Sequence, residues 1–194
     1  ILMPGVQHMR HTHLPEHKFV SGQPETGGDL AMDLERIATN FGPENIAACI
    51  VEPIAGSTGT LVPPKGYLQK LREICDKHGI LLIFDEVITG WGRTGSSFAG
   101  HEFGVTPDIM TMAKATTNGV VPMGVVACKD EIYDAVMDAS PMGSVELFHG
   151  YTYSGIPVAV AAALAVQDIF EKEDIFDRAK NLAPYFQKGL FSLQ

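Results

Sequence analysis

The chain has 194 residues, 45% of them hydrophobic and 19% charged, which gives one domain with a sizeable core and room for part of a second. Its formal net charge of −9 and pI of about 5.1 argue against a nucleic-acid or anionic-membrane surface. No unbroken apolar run reaches ~18 residues, and no basic segment leads into an apolar stretch with a cleavage site, so neither a membrane span nor a signal peptide is expected.

In chain order, residues 1–28 are rich in His, Pro and Gly, show no sustained period and read as an extended loop. His8, His11, His13 and His17 have only Glu16 as an acidic neighbour, so we expect ordinary loop histidines and no metal. Leu30, Leu34, Ile37 and Ala38 are spaced as a helix face that Gly42 stops. Ile46–Val51 is a short apolar strand ending in Glu52-Pro53, followed by the loop Ala-Gly-Ser-Thr-Gly. Tyr67, Leu68, Leu71, Ile74 and Cys75 make one face of a helix closed by His78-Gly79. Ile80–Phe84, Ile109–Met112 and Gly124–Cys128 are three more strands. Glu131–Met137 reads as a short helix, Pro157–Glu171 as an Ala-rich one with Pro in its first turn, and Ile175–Leu193 as another that Pro184 breaks or kinks. Continuously apolar strands separated by helices predict an α/β fold with a mostly parallel sheet covered on both faces.

Cys49, Cys75 and Cys128 sit in apolar or helical contexts without metal-ligand spacing, so they are expected to be buried and reduced, in a cytoplasmic protein. The chain opens with Ile1-Leu2-Met3-Pro4-Gly5 and stops inside a helical pattern at Gln194, from which we expect an internal piece of a longer protein.

The most informative pair is Lys114, in Met-Ala-Lys-Ala-Thr-Thr-Asn-Gly, and Asp85, at the end of Ile-Leu-Leu-Ile-Phe. A lysine among small apolar neighbours can lose its proton by desolvation and form a Schiff base. A carboxylate ending a neighbouring strand can hold a protonated ring nitrogen, and pyridoxal phosphate (PLP) uses both groups. Taken singly, a lysine is usually solvated and an aspartate after a strand can simply cap a turn. Yet Glu52, Asp85 and Lys114 all fall at strand C-terminal ends, where open α/β sheets bind ligands.

Two other motifs compete. Gly90-Trp-Gly92-Arg-Thr-Gly95 matches G-x-G-x-x-G, but the adjoining stretch Ser96–Gly104 lacks a helical period, so a glycine-rich active-site loop or a surface turn fits better than a dinucleotide site. Leu81–Glu86 resembles the acidic strand of a P-loop ATPase, yet no G-x-x-x-x-G-K-[ST] element is present.

Leu-Leu-Ile-Phe-Asp85-Glu-Val87-Ile-Thr-Gly-Trp-Gly-Arg-Thr-Gly, followed by Thr106-Pro-Asp-Ile-Met-Thr-Met-Ala-Lys114, resembles the signature of the class III PLP-dependent aminotransferases. Gly5–Phe19, Val51-Glu52-Pro-Ile-Ala-Gly-Ser-Thr-Gly and His149-Gly-Tyr-Thr152-Tyr-Ser-Gly are similar to the ω-amino acid–pyruvate branch, and the likeness runs over essentially the whole chain. Ser57 stands where the ornithine and GABA branches carry an acidic residue, and Ile156 where the family often has a polar one.

The resemblance implies part of the PLP-dependent transferase (aspartate aminotransferase-like, fold type I) large domain over residues 1–172. Residues 173–194 would form a helix leading toward a small C-terminal domain. The fourth strand is expected to be antiparallel. Lys114 would be the Schiff-base lysine and Asp85 the partner of the ring nitrogen. Val87 would pack on the ring, Glu52 would lie at the cofactor pocket, and Thr152 would reach the phosphate of the partner's PLP in a homodimer or higher homo-oligomer with a shared active site. The implied activity moves an amino group from an ω-amino acid or amine to a keto acid such as pyruvate, through pyridoxal 5'-phosphate. An aminomutase or decarboxylase of the same fold is the nearest alternative, and a nucleotide-binding ATPase domain a more distant one. A piece of this length on its own is expected to be poorly active.

Overall fold

A computed structural model describes residues 3–142, 147 and 151–193. Four strands form one sheet in the order β1-β2-β3-β4: β1 is Ala48–Val51, β2 Leu81–Asp85, β3 Ile109–Met112 and β4 Val125–Cys128. β1, β2 and β3 run parallel, with Ile50 opposite Ile83 and Ile83 opposite Ile109. β4 returns antiparallel, with Met112 opposite Val125, as the resemblance implied.

The helices are α1 (Met32–Phe41), α2 (Tyr67–His78), α3 (Ala99–Phe103), α4 (Asp130–Ala139), α5 (Pro157–Lys172) and α6 (Ile175–Phe191). α2 carries the chain from β1 back to the start of β2, as a parallel pair requires. It ends where the sequence stops it, at Gly79 with φ 68°. Its buried stripe of Leu68, Leu71, Ile74 and Cys75 joins Leu30, Leu34 and Ala38 against Cys49, Leu82 and Phe84. That is the α/β core. At ~25 cal/mol per Å2 of apolar surface, it is the main source of stability.

Burial alternates along β1 and β2, because α1 and α2 cover one face of the sheet there. The opposite face stays open at Ile50 and Val126, which are 61% and 69% exposed. Both lie on edge strands, whereas Ile83 and Ile109 at the centre of that face are half-buried, in keeping with the expected mostly parallel sheet between helices. Cys49 and Cys75 are buried free thiols as expected, but Cys128 is exposed. It ends β4, three of whose four residues are exposed, so apolar context there does not mean burial.

Two other expectations change. The stretch after the glycine-rich loop contains the short helix α3, and the helix through Pro184 is continuous from Ile175 to Phe191. Asp85 and Met112, the C-terminal residues of β2 and β3, end on the same edge of the sheet, and the polar residues of interest leave from it.

Candidate active site

Asp85 is the last residue of β2 and is half-buried. Its Oδ1 accepts the Val87 N–H at 3.0 Å, a local turn that fixes both the carboxylate and the half-buried Val87. Across the ladder Asp85 pairs with Thr111, and Lys114 comes three residues later. Three residues span at most ~11 Å of chain, which keeps the acid and the amine on one rim.

Lys114 opens a 3-10 turn, Lys114–Thr116, at a φ of 46°. This left-handed backbone costs a side-chain-bearing residue about 1–2 kcal/mol and persists only where its surroundings hold it. The hold is visible. The Ala113 carbonyl accepts from the Thr116 N–H at 3.0 Å and from Thr116 Oγ1 at 3.0 Å. Thr116 Oγ1 in turn accepts the Trp91 indole N–H at 2.9 Å. The Lys114 carbonyl accepts the Gly119 N–H at 3.2 Å. The side chain of Lys114 is exposed, so the desolvation expected from its small apolar neighbours is not supplied by the described residues.

Glu52 leaves β1 on the same rim. Its Oε2 accepts the Gly56 N–H at 2.9 Å, closing the loop after the strand. A Cβ on Gly56 would stand 2.7 Å from Ile88 Cδ1, so this loop packs against the exit of β2. Glu52, Asp85, Val87 and Lys114 are thus gathered by adjacent strand ends. Thr152 is exposed in the 3-10 turn Tyr151–Tyr153 and is not among them. His149 and Gly150, which belong to the same family-like segment as Thr152, lie outside the described residues.

Three residues of the site were not anticipated. Glu86 is fully buried and accepts hydrogen bonds from Thr89, Ala99 and Gly100. Trp91 and Thr116 form the clamp on the lysine turn. Only Glu86 left a signal: the period of two that buries Leu82 and Phe84 puts Glu86 on the same face.

The glycine-rich loop packs tightly under the C-terminal helices. Trp91 meets Phe98 edge-on with ring centroids 5.0 Å apart, and a Cβ on Gly92, whose φ is 87°, would stand 2.3 Å from a ring carbon of Phe176. A separate cavity, lined by Thr106, Asp108, Ala127, Cys128 and Lys129 among others, lies at the N-terminal end of β3 and contains none of these site residues. Among the described residues no group of three or more His, Cys, Asp or Glu is arranged for a metal, and no helix is long and apolar enough to cross a membrane.

The donor set fits PLP. It offers a primary amine for the aldehyde, a carboxylate for the ring nitrogen and an aliphatic side chain beside that carboxylate for a ring face.

Comparison with known proteins agrees. The model of the family aminotransferase class-III matches residues 3–194. An omega-aminotransferase of Caulobacter vibrioides is 57% identical over 193 residues, 99% of this chain and 44% of its own length. A beta-alanine–pyruvate aminotransferase of Pseudomonas aeruginosa is 53% identical over 191 residues, 97% of this chain and 43% of its own length. An amine transaminase from an uncultivated Pseudomonas species, solved in a PLP-bound form, is 44% identical with a TM-score of 0.75, covering 80% of this chain and 35% of that one. The chain therefore spans less than half the length of these relatives. A match over residues 3–194 leaves the ATPase reading without support.

Proposed function

As this chain belongs to the class-III aminotransferases, we propose that its protein moves an amino group from an ω-amino acid or amine to a keto acid such as pyruvate, with pyridoxal 5'-phosphate held by Lys114 and Asp85. The observation that carries this reading is the register of β2 and β3, which aligns Asp85 with Thr111 just ahead of Lys114. The names of the Caulobacter and Pseudomonas aeruginosa relatives support the choice of donor and acceptor.

When bound, PLP supplies an electron sink for the charge that develops at the substrate carbon. Lys114 would hold the coenzyme through its primary amine and would carry a proton on and off that carbon. Such acid–base work contributes on the order of 10²–10⁴-fold. Asp85 keeps a proton on the ring nitrogen. Val87 packs on the ring, and Glu52 bounds the pocket. Thr152 contacts the phosphate bound by the partner subunit of a homodimer or higher homo-oligomer, so each active site is shared.

Residues 1–172 then belong to the cofactor-binding large domain, and residues 173–194 lead toward a small C-terminal domain. We place the protein in the cytoplasm, a reading supported by three free cysteines.

The test is product analysis with the full-length protein, PLP, β-alanine or another amine, and pyruvate. We expect alanine and the matching carbonyl product in equal amounts, with ping-pong kinetics. Isomerised or decarboxylated donor, with no alanine formed, overturns the reading in favour of another reaction on the same fold.

A further inference from the structure

We propose that Glu86 is a positioning residue for the Asp85–Lys114 pair: its carboxylate ties together both ends of the loop that leaves Asp85, and so sets where Asp85 and Val87 stand. The inference rests on the proposed roles of Asp85 and Lys114.

Glu86 is fully buried. Its Oε2 accepts from Thr89 Oγ1 at 2.5 Å and from the Ala99 N–H at 2.9 Å, and its Oε1 accepts the Gly100 N–H at 2.8 Å. Its main chain is equally committed. The Glu86 N–H donates to the Thr111 carbonyl at 2.9 Å, and its own carbonyl accepts the Gly90 N–H at 2.9 Å. One residue therefore binds the strand that leads to Lys114, the first turn of the loop, and the point where the loop returns. From within that loop Trp91 reaches Thr116 and, through it, the carbonyl preceding Lys114. The hydrogen bonds thus run from the residue beside Asp85 to the residue beside Lys114.

The position demands an acid. Both carboxylate oxygens face backbone N–H groups, which can only donate. In a glutamine, either orientation of the amide turns an NH2 toward one of those donors and leaves a buried N–H without an acceptor. Gly100 brings its backbone hard against this corner: a Cβ there would stand 2.9 Å from the Val105 carbonyl oxygen and 3.6 Å from Glu86 Oε1.

The experiment compares Glu86→Gln with wild type as full-length holoenzyme, with Lys114→Ala and Asp85→Asn as controls on the underlying reading. Displacement of the acid–amine geometry by a fraction of an ångström to one ångström costs on the order of tenfold to a hundredfold in kcat. We expect a fall of that size, with KM for the amine within about twofold of wild type. We also expect a shifted pH midpoint of the visible absorption band of the bound cofactor, at wild-type cofactor content. Thr89→Val removes one of the three donors and should move both readouts in the same direction by less. If Glu86→Gln does not fold, Thr89→Val decides alone. Wild-type kcat and band midpoint in the folded variant overturn the proposal. So does a loss of activity that only tracks lost cofactor while the midpoint stays put. Failure of the underlying reading looks different: Lys114→Ala and Asp85→Asn would then turn over normally.

Discussion

Asp85 stands directly across the parallel β2–β3 ladder from Thr111, three residues ahead of Lys114. A parallel register sends both strands toward the same edge, so an acid ending one strand and an amine just past the next leave from one rim without any long loop to place them. The strain sits on the amine side, in the left-handed backbone of Lys114, while the acid is fixed by its bond to the Val87 N–H.

Replacing Lys114 separates its chemical role from its strained conformation. Lys114→Ala in the full-length enzyme should abolish amino transfer, and borohydride should no longer fix the cofactor to the chain. Normal turnover would remove Lys114 from the mechanism. Alanine keeps the cost of a φ of 46°, whereas glycine relieves it. Lys114→Gly should therefore be about 1 kcal/mol more stable to denaturant than Lys114→Ala, although both are inactive.

Asp85→Asn keeps an oxygen that can accept the Val87 N–H, so the corner should retain its shape. The charge proposed to hold a proton on the ring nitrogen is lost. Cofactor should still bind, and kcat should fall on the order of 10²-fold or more. A steady-state assay at saturating cofactor checks this, and unchanged turnover would exclude Asp85.

Where the deciding forces were local, the fold could be read from residues alone. β3 at Ile109–Met112 is an apolar run, and α2 shows an apolar stripe with a glycine stop. The antiparallel direction of β4 came from family likeness, since an apolar run carries no direction. α3 was unreadable because Ala-Gly-His-Glu-Phe has no amphipathic period. It forms where Glu86, thirteen and fourteen residues earlier, accepts the N–H groups of Ala99 and Gly100. The Trp91–Thr116 bond, spanning 25 residues, was invisible for the same reason. The common rim of Glu52, Asp85 and Lys114 was legible because each lies at or just beyond the C-terminal end of an apolar run, whereas Val87 came from family likeness. Glu86 has the same exit from β2 as Asp85, but its buried contacts lie far along the chain.

The N-terminal segment should come loose in acid. Asp33 on α1 accepts from Arg10 Nε at 2.9 Å, Arg10 Nη2 at 3.0 Å and the Arg10 N–H at 2.9 Å. The side-chain bond from Arg10, then its backbone bond, hold the Asp33 carboxyl at about 2 against the burial that would raise it, where 3.8 is usual. A carboxyl depressed in the folded state stabilises above its unfolded value and loses that contribution as pH falls. Protection of the segment around Arg10 should therefore be complete above pH ~4 and fall away toward pH ~2. Hydrogen exchange followed through that window would show it. Asp33→Asn should flatten the profile and leave the segment more exchangeable at neutral pH. An unchanged profile would mean that the Arg10 pair does not anchor it.

The far end of the sheet carries stability rather than chemistry. Asp108, just before β3, is buried and accepts from the Leu82 N–H at 2.7 Å, Arg72 Nη1 at 2.8 Å and Lys129 Nζ at 2.7 Å. Burial alone would raise its carboxyl, yet Lys129, the Leu82 amide and Arg72 together hold it below the usual range. Asp108→Ala strips three donors at once, and the side chain of Arg72 is only 17% exposed, with an Nε that already lacks a partner among the described residues. Arg72 keeps Asp76, 2.7 Å from its Nη2, so the loss comes mainly from the buried Leu82 N–H left without an acceptor and should be about 1–3 kcal/mol. Lys129→Ala should cost under ~1 kcal/mol, since that side chain is 43% exposed and water replaces it readily. Denaturant melts of the two variants should differ accordingly. The folded fraction of each should keep wild-type kcat, because Asp108 sits at the end of β3 remote from Lys114. Equal losses from the two substitutions would show that the Lys129 pair, and not the bonds of the buried acid to Arg72 and Leu82, carries the contribution.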